Sequence, residues 1–191
     1  MKRLFIGIPI HSTEALHIRE TWRKDEKLNP HVLKWSDPDN WHITLVFLGN
    51  KTETEIDILQ RLIEESFSDV LSFNTWLKGI GVFPNTRNPK VLWLGIEELQ
   101  PLMSAQTRLV ELLQLHGFAF DNKPLKPHLT LARIRNAEHL TSFESLLNRY
   151  QYFTSTQIEI NKVILYESVQ TINGPVYKPL FVKGFEIGKS H

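Results

Sequence analysis

The 191-residue chain has no cysteine, which excludes disulfides, thiolate metal sites and cysteine nucleophiles together. This suits a reducing compartment, and the cytoplasm is the expected location. Long hydrophobic runs are also missing. Gly7 and Pro9 break the opening apolar stretch, no small-residue cleavage site follows it, and no segment nears the roughly 18 apolar residues of a membrane span. Neither a secretory signal nor membrane association is expected. Charge of one sign is scarce too, because 22 Lys and Arg face 21 Asp and Glu for a net of +1. An anionic partner must therefore be met by a local cluster, which excludes a polybasic binder. No Gly-rich phosphate loop is present, since Gly79-Ile80-Gly81 lacks the strand-to-helix setting such a loop needs.

What is present is an ordinary globular composition, 41% hydrophobic and 23% charged, with enough apolar surface for a core. At roughly 150 residues per domain the length allows one domain or two small lobes sharing a core. No linker, charge run or low-complexity stretch divides the chain, so residues 1–191 are expected to form a single domain of two pseudo-symmetric lobes. It is expected to act as a monomer.

Apolar spacing alternates between the strand and helix periods. Arg3 to Ile8 reads as a strand, and Ser12 or Thr13 caps a helix carrying Leu16, Ile18 and Trp22 that ends before Pro30. Trp41 to Leu48, closed by Gly49-Asn50, is a second strand. Thr52 and Glu55 form a capping box ahead of Ile56, Leu59, Leu62, Ile63 and Phe67 at helical spacing. Phe73 to Val82 and Lys90 to Ile96 flank a turn-rich PNTRNPK segment as a hairpin. Leu99 to His116 puts Leu102, Met103, Leu109, Val110 and Leu113 on one stripe, stopped by Gly117. A strand starts near His128, and Asn136 caps a helix with Leu140, Phe143, Leu146 and Leu147. Ile158 to Tyr166 and Tyr177 to Ile187 close the fold as strands around Ile172-Asn173-Gly174-Pro175. The pattern predicts an α+β sandwich of sheets with helices between their strands.

One pattern occurs twice, as His42-Ile43-Thr44-Leu45 and His128-Leu129-Thr130-Leu131. At this Thr and Leu content, eight histidines yield about 0.07 such matches by chance, so two matches indicate an internal repeat. On a strand, residues i and i+2 share a face. Each copy thus offers an imidazole and a hydroxyl together, over an apolar underside. A lone copy reads best as a hydrogen-bonded strand histidine; two copies satisfy each other if the lobes face one another across a cleft.

Two histidines that titrate near neutrality supply a general base and a general acid for displacement at phosphorus, and two threonine hydroxyls donate to its non-bridging oxygens. Arg133 adds a planar cationic fork for a phosphate. Strand parity nevertheless sets Arg133 with Leu129 and Leu131, unless the strand bends before it. Together with Lys123, Lys126 and Arg135 against Asp121, it gives residues 121–135 a local charge of +3. A metal centre is the chemical competitor. No His-Glu-x-x-His, no Cys and no acidic pair accompanies either copy, and threonine is a poor zinc ligand, so neither metal nor cofactor is expected. His11, His17, His31, His116, His139 and His191 fit no catalytic spacing and read as surface or capping residues.

The segments RLFIGIPI, DPDNWHITLVFLGN, GIGVFPNTRNPKVLWLGI, KPHLTLARIR, ILYES and GPVY together resemble the 2H phosphoesterases over nearly the whole chain. Within them the chain is most similar to the bacterial and archaeal RNA 2′,3′-cyclic phosphodiesterases, historically called 2′-5′ RNA ligases. That resemblance implies two antiparallel β-sheets facing across a central cleft with helices outside. It also implies metal-free hydrolysis of a 2′,3′-cyclic phosphate at an RNA end or on a nucleotide to a 2′-phosphate. His42 takes the position of the proton donor, His128 that of the proton acceptor, and Thr44, Thr130 and Arg133 those of phosphate-binding residues. Phe5, Trp41 and Tyr166 are candidates for stacking on the terminal base. Two alternatives remain open: ATP-independent 2′-5′ ligation by the same groups in reverse, and a non-catalytic binder of phosphorylated RNA ends.

Overall fold

Several strands of the protein alternate buried with more exposed residues, whereas the first is buried on both faces from Leu4 to Ile8. In the computed structural model, which describes residues 1–24, 32–97, 99–135, 144, 147–172 and 174–188, that alternation assembles two antiparallel sheets. The described strands are β1 (Lys2–Pro9), β2 (Leu33–Trp35), β3 (His42–Lys51), β4 (Phe73–Phe83), β5 (Val91–Glu97), β6 (His128–Ile134), β7 (Ile158–Ile160), β8 (Lys162–Thr171) and β9 (Gly174–Gly184). One sheet runs β3-β1-β8-β9 and the other β2-β6-β5-β4-β7. Helices α1 (Thr13–Arg23), α2 (Glu53–Ser66) and α3 (Gln100–Leu115) follow β1, β3 and β5. The α+β architecture of two antiparallel sheets is the one expected.

The helices start where local chemistry says they should. Ser12 accepts from the Ala15 amide and caps α1, while Thr52 and Glu55 exchange both bonds of a capping box at α2. Gly117 terminates α3 in the left-handed region, at φ 70°. Helices α2 and α3 pack on each other, and Arg108 of α3 donates to the Ser66 carbonyl at 2.8 Å. One hydrophobic cluster takes in Ile6 and Ile43 of the first sheet, Leu92 and Leu129 of the second, and Trp22, Leu59 and Leu109 of the helices. No helix among the described residues is long and apolar enough to cross a membrane.

Several sequence expectations are revised. Leu16 and Met103 lie exposed, and Ala15 and Ala105 take their places on the buried stripes of α1 and α3. Strand β3 does not stop at a Gly49-Asn50 turn. It continues to Lys51, with Gly49 at φ 71° sitting inside the ladder opposite Leu4. Residues 158–166 are not one strand: β7 pairs with β4 in the second sheet, and after Asn161 the chain crosses to pair with β1 as β8. The closing strand β9 begins at Gly174 and ends at Gly184. Strand β2, too short to show a period, has no counterpart in the sequence expectations. Helix α1 ends at Arg23, before Pro30 as expected. Of the helix expected from Asn136, residues 136–143, 145 and 146 lie outside the described residues; residues 147–150 are helical, with Leu147 and Tyr150 packed on the core.

One buried cation joins the loop before β6 to β3. Lys51 is 4% exposed, and its ammonium donates to the carbonyls of Leu48 at 2.6 Å and Ala119 at 2.8 Å. The Asp121 amide donates to the Phe47 carbonyl at 2.9 Å. The chain entering His128 is thereby fastened along the outer edge of the strand that begins with His42. Lys51→Met keeps the aliphatic stem but strands those carbonyls, and a loss of about 1–3 kcal/mol is expected in urea unfolding. An unchanged midpoint would show that water replaces the ammonium at no cost.

Candidate active site

The two His-x-Thr copies open β3 and β6, the strands at which the two sheets adjoin. Both histidines and both threonines are partly buried, and both undersides, Ile43 with Leu45 and Leu129 with Leu131, are in the core. His42 Nδ1 donates to the Asn40 carbonyl at 2.6 Å, and His128 Nδ1 to the Lys126 carbonyl at 2.6 Å. In each case the acceptor lies two residues upstream. A bond of this kind fixes the tautomer and leaves Nε2 for the substrate side. In the neutral His42 ring, Nε2 accepts from the Thr44 hydroxyl at 3.1 Å.

Aromatic rings hold both imidazoles in place. Tyr177 meets His42 edge-on at 5.0 Å and 87°, and Phe83 meets His128 edge-on at 5.0 Å and 83°. Phe5 lies beneath His42 at 4.7 Å and stacks on Tyr166 at 5.0 Å. Burial behind these rings is the main reason that the His42 pKa is pushed below its ordinary value, despite the opposing bond to Asn40; the charge of His128 lowers it further. Burial also raises Tyr166 to about 12, and it raises Tyr177 against the pull of Arg133 and Arg3. Both phenols therefore stay protonated near neutrality.

Arg133 reaches the same face in spite of its parity. In the β5–β6 ladder Leu92 pairs with Ala132 and Trp93 with Thr130, so Leu131 is passed over. The slip buries Leu131 and Ala132 in succession and turns Arg133 outward with His128 and Thr130. It lies close enough to Tyr177 of the opposite sheet to affect its ionisation. Three neighbours of these residues are not singled out by the sequence alone. Lys34 sits directly across from Arg133 in the β2–β6 pair, on a strand with no signal of its own. Tyr177 reads there only as part of a closing strand and of the GPVY segment, with no role of its own. Trp93 stands opposite Thr130 and lies so close over Gly81 that a Cβ there would fall 2.3 Å from its ring. Of the stacking candidates, Trp41 at 4% and Phe5 at 3% exposure are core residues. Among the described histidines outside the repeat, His11, His17 and His116 are exposed.

Folded this way, the chain is a two-sheet protein that presents a duplicated imidazole and hydroxyl pair, a composition of groups suited to a phosphodiester. The family model of the 2'-5' RNA ligase superfamily matches residues 13–171, and the chain belongs to that family. It is 36% identical over 178 residues to an RNA 2',3'-cyclic phosphodiesterase of Aquifex aeolicus, covering 92% of this chain and 93% of that protein. A protein of the same name from Archaeoglobus fulgidus is 33% identical over 181 residues, with 94% and 98% covered. The fold matches that of a Thermus thermophilus protein with a TM-score of 0.76 at 24% identity, over 97% and 98% of the two chains. It also matches E. coli LigT solved with 3'-AMP, at 0.72 and 24% over 96% and 98%.

Gly7 gives the His42 ring its room. A Cβ there would lie 2.9 Å from the Ile43 carbonyl, 3.3 Å from the Phe5 ring and 3.4 Å from His42 Cδ2. Gly7→Ala is expected to move the imidazole resonances of His42 in a two-dimensional spectrum and leave those of His128 in place. Unmoved His42 signals would contradict this packing.

Proposed function

We propose that the protein is a metal-independent RNA 2′,3′-cyclic phosphodiesterase that opens a terminal cyclic phosphate to a 2′-phosphate. The observation that carries this reading is the matched anchoring of two partly buried imidazoles, Nδ1 to a carbonyl two residues back, on adjoining strands of facing sheets. The names of the relatives over nearly full length support the substrate class. The fold, with one core shared by both sheets, favours residues 1–191 acting as one domain of two lobes.

In the proposed reaction His128 Nε2 takes a proton from water as its oxygen attacks phosphorus. The bond from phosphorus to the 3′ oxygen breaks, and that oxygen leaves with a proton from His42 Nε2. The products are a 2′-phosphate and a 3′-hydroxyl, and the proton gained by His128 returns to His42 through solvent. Thr44 and Thr130 donate to the non-bridging oxygens, while Arg133 holds the negative charge that gathers there. Because burial disfavours a charge on His42, the free protein resists that proton, and an anionic ester beside the ring supplies the missing compensation.

Product analysis of a defined oligonucleotide ending in a 2′,3′-cyclic phosphate, in EDTA, tests the reading. A 2′-phosphate end is expected. A 3′-phosphate would overturn the assignment, and binding without product would leave a non-catalytic binder; recovery of joined 2′-5′ ends would instead support the ligase direction. His42→Ala and His128→Ala should each lose about 10²- to 10⁴-fold in kcat while remaining folded.

The pH profile follows from the same geometry. A pair that works with one proton is inactive when both rings are charged. His42 resists the second proton, so activity persists as pH falls through the ordinary histidine value of about 6.5 and is lost only at the lower pH where His42 protonates alongside His128. The expected kcat/KM profile is a bell whose acidic limb lies below that value. An acidic limb above it would be incompatible with the buried setting of His42.

A further inference from the structure

The outer face of the second sheet carries its side chains in rows that run across the strands. His128 pairs with Gly95 and Thr130 with Trp93; past the slip, Arg133 pairs with Val91 on one side and with Lys34 on the other. Lys34 is exposed between buried Leu33 and half-buried Trp35. The row beyond the threonine therefore ends in two adjacent cations, the outer one on the edge strand β2.

The opposite wall meets these cations in the same order. Tyr177 of β9, whose ring edges onto His42, lies in the field of Arg133. Three residues earlier on β9, a Cβ at Gly174 would lie 3.5 Å from the Lys34 ammonium. Strand rise sets Gly174 about 10 Å beyond Tyr177, so the cleft continues from the imidazoles past Arg133 to a second cation. Among the described residues neither Lys34 nor Arg133 forms an ion pair. A lysine on an edge strand ordinarily wards off pairing by another chain, and that role asks for no particular neighbour. Setting it directly opposite an arginine costs stability, which anions bound along the row offset.

Resting on the reading above that the site takes RNA ends, we propose that Lys34 binds the last internucleotide phosphodiester of the RNA. The terminal cyclic phosphate occupies the imidazoles, the threonines and Arg133. The strand then leaves the cleft between β2 and the β8–β9 turn, where the ammonium meets the next phosphate. A planar guanidinium and a compact ammonium thus divide two anions between them, and the outer contact recognises a chain without reading its bases. Lys34 makes the protein prefer a chain end to a free nucleotide.

Steady-state kinetics on three substrates test this: a dinucleotide with a 2′-deoxy inner sugar ending in a 2′,3′-cyclic phosphate, the same dinucleotide with a neutral methylphosphonate linkage, and the mononucleotide 2′,3′-cyclic phosphate. Lys34→Ala is expected to raise KM on the charged dinucleotide about 5- to 20-fold with kcat within about twofold. Lys34→Met, which keeps the stem, should lose as much, and Lys34→Arg should recover most of it. On the two substrates that lack the inner charge, wild type and Lys34→Ala should coincide. For the wild type, log KM should depend on log salt more steeply by about 0.7 on the charged dinucleotide than on the neutral one, and Lys34→Ala should abolish the difference. Equal losses on all three substrates would put Lys34 on the terminal phosphate and overturn the proposal, as would an unchanged KM on the charged dinucleotide. Calorimetric titration of His128→Ala with the same three molecules, with and without Lys34→Ala, reads the affinities without turnover. If the wild type hydrolyses none of them, the hydrolytic reading falls, and this titration alone decides for or against Lys34.

Discussion

The site depends on a conflict between two demands on a strand. Period-two alternation places a histidine and a threonine on one face and buries the residues between them, but it cannot place the next outward residue wherever chemistry needs it. A one-residue slip directly after each threonine settles the conflict. It lets the core take Leu45 with Val46 and Leu131 with Ala132, and it resets the outward phase for Phe47 and Arg133. The same irregularity adds local twist at the two strands where the sheets adjoin. Without it the guanidinium would have to enter the core.

Burial then decides how the imidazoles behave. A carbonyl two residues upstream holds each Nδ1, and an aromatic edge flanks each ring, yet the surroundings are unequal. His42 has Phe5 beneath it and Tyr177 beside it, with Tyr166 a little farther off at 6.3 Å, whereas the ring contact of His128 is to Phe83. A low-dielectric setting penalises the charged form of the more enclosed ring, and the charge of His128 opposes it further. Two tetrapeptides of one pattern therefore sit in two unequal settings, which suits the proposed division into an acid and a base.

Local signals are legible in the sequence, and non-local ones are not. The capping box of Thr52 and Glu55, the Ser12 cap and the Gly117 stop depend on residues within a few positions of one another, and they stand as read. The His-x-Thr faces are legible because alternation alone sets them. Partnership is hidden: nothing in residues 158–166 says that the chain changes sheets at Asn161, and a three-residue strand such as β2 has no period to detect. Parity fails for Arg133 because a bulge is a property of the pair of strands, visible only when Trp93 and Leu92 are set against Thr130 and Ala132. The burial of Phe5 and Trp41 depends on which strand neighbours which, so two of the three stacking candidates read from the sequence are core rings.

Electrostatics completes the picture. A chain with net charge +1 has no field to attract RNA from a distance, so its cations must be placed. Lys34 and Arg133 face each other across β2 and β6, a like-charge pairing that costs stability in a sheet, and among the described residues neither meets a carboxylate. The β8–β9 turn approaches from the other lobe, with Gly174 set so that its missing Cβ would lie 3.5 Å from the Lys34 ammonium. From the same hairpin the Pro175 carbonyl accepts from Asn40 at 2.9 Å, and Asn40 is the residue whose own carbonyl holds His42. The hairpin thus links the crowded cationic pair on one wall to the imidazole on the other. In the proposed reaction a phosphate entering between them would relieve the repulsion and compensate the charge on His42 in the same event, turning a cost carried by the free protein into selectivity for an anion.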